Sequence, residues 1–121
     1  MRERPRDRER LQHIVAAADF IIEHTKDITQ EEFLRDKLLY GAMIYYTMII
    51  GEAAYKLSHD FTNTYKAVEW ADIAGMRHHL VHGYYQIDNT VVWNIIKNDI
   101  EPLRQQTVRY IEEIDWDSWS K

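Results

Sequence analysis

Residues 38–50, LLYGAMIYYTMII, limit the possible folds more than any other part of this chain. Placed on a helix, their apolar side chains point in every direction, because successive residues rotate by about 100°. A helix that is apolar all round has to be buried on every side. The segment is shorter than the roughly 20 residues that cross a bilayer, and it contains a glycine, a threonine and three tyrosines. We therefore expect a buried helix and no membrane span.

The helix predicted around this segment has two apolar faces. A four-helix bundle covers only one face of each member, so we expect a second copy of the chain to cover the other face in a homodimer. The alternative is a central helix within one subunit. One face carries Leu39, Ala42, Met43, Tyr46, Ile49, Ile50, Ala53 and Leu57, and the opposite face carries Gly41, Ile44, Tyr45, Met48 and Tyr55.

Helical periodicity dominates the rest of the chain, which has only four glycines and two prolines and no segment typical of a strand. The pattern predicts an all-α, up-and-down bundle of four long helices in a single domain, residues 1–121. A break near Pro102 would divide the last helix and give five pieces. The predicted helices cover about residues 7–25, 30–58, 67–82 and 90–114, with a polar loop at 59–66 and loosely ordered tails at 1–6 and 115–121.

Local signals mark the predicted helix ends. Thr29 and Glu32 have the spacing of a capping box, which satisfies two free N–H groups at a helix start. Gly83 is placed as the residue after the third helix, where glycine adopts the left-handed conformation without penalty. Asn89 and Thr90 are candidate caps of the fourth helix.

Charge and composition restrict the ligands and the compartment. The chain has no cysteine, which excludes disulfides and thiolate chemistry and fits a reducing cytoplasm. No secretory signal sequence is evident. The net charge is −5, although residues 2–10 carry five arginines against three acids and residues 112–117 carry four acids and no base. A nucleic acid would therefore have to bind to a local patch of positive charge.

The stretch RHHLVHGYY, residues 77–85, concentrates one arginine, three histidines and two tyrosines at the end of the third predicted helix. Arg77 falls within the apolar stripe of that helix. A guanidinium keeps its charge in a protein, and burying it alone is strongly unfavourable. Arg77 therefore needs an acidic partner, for which Glu52 is the candidate, or an anionic ligand, or a solvated cleft between subunits. The stripe consists of Trp70, Ile73, Ala74, Leu80 and Val81.

The histidines of this stretch provide groups for proton transfer. His82 lies about 140° round the helix from Arg77, yet both side chains can reach a phosphate beyond the helix end. His78 is one turn before His82 on the same side, and Tyr84 follows Gly83 past the helix end. Arginine binds phosphate through paired hydrogen bonds, and histidine transfers protons near neutral pH. The pair therefore suits metal-independent RNA cleavage, in which the 2′-OH is the nucleophile.

Structural explanations of the same residues stay open. A histidine near a helix C-terminus is often a cap, and an arginine on an apolar stripe often pairs with a core acid, here Glu52. His78 and His82 also have the four-residue spacing of zinc-binding helices. However, no carboxylate in the cluster and no cysteine in the chain completes a zinc site. We therefore expect no metal and no cofactor.

The pattern Arg-x4-His-x-Tyr, formed by Arg77, His82 and Tyr84, resembles the signature of HEPN-domain ribonucleases. The surrounding WADIAGMRHHLVHGYYQIDNTVVW and the earlier IIGEAAYKL are similar to the HepT-like branch of that family. The similarity extends over about residues 8–114. The motif gains specificity from its place near the end of the third helix of an all-α domain.

The resemblance implies a helical dimer in which two copies of the motif line one cleft. It implies a metal-independent endoribonuclease with Arg77 and His82 as the catalytic pair. His78 stands where the family usually has asparagine or aspartate. HepT-like proteins usually act as toxins beside an MNT-type nucleotidyltransferase antitoxin, which transfers AMP to the motif tyrosine, here Tyr84, with Tyr85 adjacent. The alternative is a non-catalytic helical dimer that binds a nucleotide or a nucleotidyltransferase partner.

Overall fold

A computed structural model gives the structure of residues 4–83 and 86–121. The fold is all-α, as predicted, and these two ranges contain no strand. None of the helices in these ranges has the length and hydropathy that a bilayer crossing requires. A 3-10 turn at Arg4–Arg6 precedes α1 (Asp7–Thr25), α2 (Gln30–Arg35), α3 (Lys37–Tyr55), α4 (His59–Thr64), α5 (Trp70–His82), α6 (Asn89–Asn98), α7 (Ile100–Glu113) and α8 (Trp116–Trp119).

The first predicted helix and the capping box are confirmed. Helix α1 covers the predicted residues 7–25. At the start of α2, the backbone N–H of Glu32 donates to Thr29 Oγ1 at 3.1 Å, and the N–H of Thr29 donates to Glu32 Oε1 at 3.3 Å. These bonds join residues three apart in the chain, so the sequence alone specified them.

The prediction of one long helix over residues 30–58 was wrong, because Asp36 divides it into α2 and α3. Asp36 has an extended backbone (φ −103°, ψ 95°), and its carboxylate accepts from the backbone N–H of Leu39 at 3.0 Å. Aspartate favours this position because its side chain satisfies a free N–H at the helix start. The break lets α2 turn and bury Phe33 in the core.

The polar loop predicted at 59–66 was also wrong, since it contains α4. Ser58 Oγ caps this helix by accepting from the N–H of Phe61 at 3.1 Å. Phe61 is fully buried and stacks on Trp116 with 6.2 Å between ring centroids. The polar residues of this segment face solvent, so its single buried aromatic residue determines the local structure.

The ends of α5 and α6 differ from the predicted caps. Gly83 ends α5 with φ −109° and ψ 23°, which is not the left-handed conformation. Its N–H donates to the carbonyl of His79 at 2.9 Å, and a Cβ at Gly83 would lie 2.9 Å from the same oxygen. A side chain at this position would collide with the His79 carbonyl oxygen, which favours glycine. Helix α6 is capped by Asp88, which accepts from the N–H of Thr90 at 2.9 Å, so Asn89 and Thr90 are not its caps.

The last predicted helix is broken, as expected, but at Asp99, three residues before Pro102. Pro102 lies in the first turn of α7. The N–H groups of a first turn have no acceptor within the helix, so proline is tolerated there. The third predicted helix starts at Trp70, three residues later than expected.

Helix α3 packs between α1 and α5, and α7 packs on α1. The largest fully buried side chains include Phe33 of α2, Phe61 of α4 and residues of α1, α3 and α7. One stripe of α3 nevertheless lies at or near the surface, and we call it the outward stripe. Its members lie three or four residues apart on one helix face: Leu38 (88% exposed), Gly41, Tyr45 (55% exposed), Met48, Glu52 and Tyr55 (49% exposed).

The two ends of the chain are joined through Asp7, which is fully buried. Its carboxylate accepts from the N–H of Ser58 at 2.8 Å, from Ser58 Oγ at 2.6 Å and from Trp119 Nε1 at 3.0 Å. Residues 115–121, expected to form a loose tail, thus carry the short helix α8, which is tied to the start of α1. The two tryptophans of α8 provided apolar surface that the acidic composition of this segment obscured.

Candidate active site

The site is built where α5 crosses α3 at Gly51. A Cβ added to Gly51 would lie 2.7 Å from Arg77 Cβ and 3.1 Å from the carbonyl oxygen of Ile73. No side chain fits in this space, so only glycine permits this approach of the two helices. The crossing holds Arg77 of α5 directly beside Glu52, the residue after Gly51.

Arg77 is bound by Glu52, as the acid-partner interpretation predicted. Arg77 Nε forms an ion pair with Glu52 Oε2, and the guanidinium lies over the ring of Tyr55, with 5.4 Å from Cζ to the ring centroid. The Arg77 and Glu52 side chains are 33% and 38% exposed. The arginine of the apolar stripe therefore reaches the outward stripe of α3 and contacts solvent.

The local charge at this position is positive although the chain is acidic. Glu52 also accepts an ion pair from Lys56 Nζ at 3.4 Å. One carboxylate thus faces two cations, which leaves one positive charge in excess before any histidine is protonated. This is the kind of local patch that an anionic ligand needs on a chain with a net charge of −5.

His78 and His82 lie together on the last two turns of α5. Their rings are 4.6 Å apart between centroids at an angle of 47°, and both side chains are exposed. Within the described residues, no hydrogen bond, ion pair or ring contact joins His82 to Arg77.

The motif tyrosine and its neighbour are not among the residues that the structure describes. Tyr84 and Tyr85 lie outside the described residues, which resume at Gln86. In the ranges 4–83 and 86–121, no three histidine, aspartate or glutamate side chains are grouped so that they could hold a metal ion.

Three residues around the Arg77–Glu52 pair were not recognised as part of a site from the sequence. Tyr55 lies three residues after Glu52 and Lys56 lies four, the spacings that place helical residues on one face. From these spacings, the sequence could have identified both residues as neighbours of Glu52. Gly51 lies within the stretch IIGEAAYKL quoted above, but its steric role depends on α5, which is distant in the chain.

The arrangement suits the recognition of a phosphate in a single-stranded or bent nucleic acid. A guanidinium neutralises and orients a phosphate, and a nearby imidazole accepts and donates protons. None of these groups requires a deep pocket.

Comparisons with known proteins bear on the same region. The family model described as "Ribonuclease HepT-like" matches residues 14–110. A "Putative RNase" of Caldanaerobacter subterraneus is 34% identical over 85% of this chain and 92% of its own length. A "Probable ribonuclease HepT" of Thermococcus cleftensis is 37% identical over 78% of this chain and 86% of its own length.

A longer relative shows that the same region also occurs within a larger protein. The "Gamma-glutamylcyclotransferase and putative RNase" of Methanocaldococcus jannaschii is 35% identical over 87% of this chain. The chain spans only 47% of the length of that relative. No solved structure matches the chain.

Proposed function

Because the chain belongs to the HepT-like ribonuclease family, we propose that it is an endoribonuclease that cleaves RNA without a metal ion. Arg77 and His82 are its catalytic pair, and Glu52, His78 and Tyr84 support them. The observation that carries this proposal is the partly exposed guanidinium of Arg77, held by Glu52 at the α3–α5 crossing on the same helix as the exposed His78–His82 pair.

The reaction requires no nucleophile from the protein. The 2′-oxygen of the substrate attacks the adjacent phosphorus, and the bond from phosphorus to the 5′-oxygen breaks. The products are a 2′,3′-cyclic phosphate and a free 5′-hydroxyl. His82 takes the proton from the 2′-OH or gives one to the departing 5′-oxygen, and water exchanges the other proton. Arg77 stabilises the additional negative charge on the phosphorane.

Glu52 acts as a positioning residue in this scheme. Its ion pair fixes the Arg77 side chain on the outward stripe, and the contact with Tyr55 restricts it further. An arginine ordered before the substrate binds loses less side-chain entropy on binding phosphate. His78, one turn from His82, is placed to assist proton transfer or to bind the neighbouring phosphate.

Cleavage in the presence of EDTA tests the proposal. We expect the wild-type protein to cut a single-stranded RNA oligonucleotide at the same rate with and without EDTA, and to leave cyclic phosphate ends. The DNA oligonucleotide of the same sequence should stay intact, because it lacks the 2′-OH. Denaturing gel electrophoresis and mass spectrometry of the products measure both results.

Loss of cleavage in EDTA, with recovery on adding Mg²⁺, would overturn the metal-independent mechanism. Cleavage of the DNA control would exclude the 2′-OH as the nucleophile. If neither RNA nor DNA is cut, the alternative gains support: a non-catalytic helical dimer that binds a nucleotide or a nucleotidyltransferase partner. The net negative charge of the chain is the one feature that favours this alternative.

We expect a homodimer joined through the outward stripe of α3. Leu38, Tyr45 and Tyr55 are largely exposed on the chain alone, and covering them removes apolar surface from water. Because Glu52 belongs to the same stripe, the contact would bring two Arg77 sites to one cleft. Light scattering should give about twice the 14.6 kDa mass of the chain, and Tyr45→Asp should shift this mass towards that of the monomer. A monomeric wild-type protein at micromolar concentration would contradict the shared cleft.

A toxin role follows as part of the proposal. The protein would be the toxin of a type VII-like pair in which an MNT-type nucleotidyltransferase neutralises it by transferring AMP to Tyr84. The added phosphate would place a negative charge beside the groups that bind the RNA phosphate, occupy the arginine and repel the substrate. A single modification would thus inactivate the site without dissociating the dimer.

Mass spectrometry tests the modification. Co-expression with the cognate nucleotidyltransferase should add mass in steps of about 329 Da, the size of an AMP group, on the peptide that contains Tyr84. Tyr84→Phe should prevent the addition, and Tyr85→Phe is the matched control that should retain it. Addition at Tyr85 would reassign the acceptor. Loss of toxicity with no added mass would point to simple occlusion of the site by the bound partner.

A further inference from the structure

A groove runs along the side of α5 that faces α6 and α7. Two adjoining cavities of about 340 and 550 Å³ form it, and they share Met76 and Ile95. Helix α5 has 13 residues, so the groove extends for about 20 Å at 1.5 Å per residue. The remaining lining residues are Thr47, Ala67, Val68, Glu69, Asp72, Ile73, His79, Leu80, Gly83, Gln86, Ile87, Asp88, Val91, Val92, Asn98, Asp99, Pro102, Leu103 and Gln106.

The floor of the groove is apolar and includes a methionine. Leu80, Val92 and Leu103 form the buried part of the floor. Met76 lines both cavities but is not among the partly buried apolar side chains that pack against the core within the described residues. Val91 is 53% exposed at the edge. Methionine is common at surfaces that bind partner helices, because its flexible side chain adapts to them.

The rim of the groove is acidic. Its carboxylates belong to Glu69, Asp72, Asp88 and Asp99, and the described lining residues include no lysine or arginine. Among the residues of the two described ranges, Glu69, Asp72 and Asp99 have no basic partner within ion-pair distance. This rim disfavours phosphate and attracts a cation.

We propose that the groove binds a cationic amphipathic helix of another protein. Apolar side chains of that helix would contact Met76 and Ile95, and its lysines or arginines would face Asp72 and Asp99. The length of the groove fits about 13 residues, or three to four helical turns. Apolar anchors at three- and four-residue spacing with complementary charges at the edge are the usual features of this mode of recognition.

The groove and the candidate active site share α5 but not a face. Met76 borders the groove, whereas its neighbour Arg77 contacts Glu52 on α3. A partner bound in the groove therefore leaves the Arg77 side of α5 accessible. The inference does not rest on the ribonuclease proposal, since it uses only the shape and charge of the other face.

Binding of a model peptide tests the inference. The probe is a fluorescein-labelled helical peptide of about 14 residues made of leucine and lysine in an amphipathic pattern. A peptide with glutamate in place of lysine is its control. Fluorescence anisotropy at physiological salt should show saturable binding of the lysine peptide and none of the glutamate peptide.

Two substitutions show where the lysine peptide binds, because both change the net charge of the chain by the same amount. Asp72→Lys should weaken the binding of the lysine peptide about fivefold or more, while Glu112→Lys, at an exposed position outside the groove, should change it less than about twofold. Met76→Ala, which alters no charge and no buried residue, should also weaken it and provides a second test. Circular dichroism confirms that each variant is folded.

Equal weakening by Asp72→Lys and Glu112→Lys would overturn the proposal, because it would show attraction to the acidic chain as a whole. Failure of the lysine peptide to bind the wild-type protein would overturn it as well. If Asp72→Lys or Met76→Ala converts a dimer to a monomer in light scattering, the groove is an interface between two copies of the chain and the proposed partner is wrong.

Discussion

Replacing His82 with alanine is expected to lower the rate of RNA cleavage by about 10²–10⁴-fold, the usual contribution of a general acid or base. The side chain is exposed at the end of α5, and its ring contacts only His78 among the described residues. Its removal should therefore leave the helical fold intact. Toxicity on expression in cells should disappear with the cleavage activity.

His79→Ala is the matched control for this experiment. His79 is exposed on the same helix, three residues earlier, and it is not part of the proposed catalytic pair. The His79→Ala variant should cleave RNA at a rate close to that of the wild-type protein. If His82→Ala is unfolded by circular dichroism, or if His79→Ala loses activity to the same extent, the catalytic role of His82 has no support.

Replacing Arg77 with alanine is expected to lower the cleavage rate by about 10²–10³-fold, because the phosphorane loses its main source of positive charge. The sequence suggested a serious risk to the fold, since a buried arginine paired with Glu52 would be costly to remove. In the structure both partners are about one-third exposed. The stability lost with this pair should therefore be only about 1 kcal/mol, as for other solvent-accessible ion pairs.

Arg104→Ala separates catalysis from loss of an ion pair. Arg104 of α7 pairs with Asp19 of α1, far from α5 along the chain, and its side chain is 35% exposed, nearly the same as Arg77. Both variants lose one positive charge and one ion pair between helices. Thermal unfolding should show similar small losses, whereas only Arg77→Ala should lose cleavage. Equal activity of the two variants would remove Arg77 from the mechanism.

The parts of the fold that follow from near neighbours were predictable. The capping box of Thr29 and Glu32 and the extent of α1 depend on hydrogen bonds and apolar spacing within a few residues. Interruptions were harder to predict. Asp36 divides a long apolar pattern although no glycine or proline marks the break, and α4 forms in a polar segment because Phe61 finds an aromatic environment supplied by distant residues.

In the candidate site, too, the residue types were predictable from local sequence and their positions were not. Arg77, His78 and His82 follow from one short motif, and the i, i+4 spacing put the two histidine rings together as expected. Glu52 was the acid predicted to hold Arg77, because few carboxylates occur in the apolar helix. The position of that pair was not predictable: the helical pattern placed Arg77 in a buried stripe, whereas the pair is partly exposed on the outward stripe of α3.

The sequence by itself determined that this chain is helical, where its first helices begin, and which residue types could act on a phosphate. These properties depend on backbone hydrogen bonds and side-chain spacing within one or two turns. The tertiary structure alone decided that α5 crosses α3 at Gly51, that Asp7 joins Ser58 to Trp119, and that an acidic groove lies behind Met76. Such contacts join residues distant in the chain, and their geometry depends on how closely whole helices pack, which no local pattern encodes.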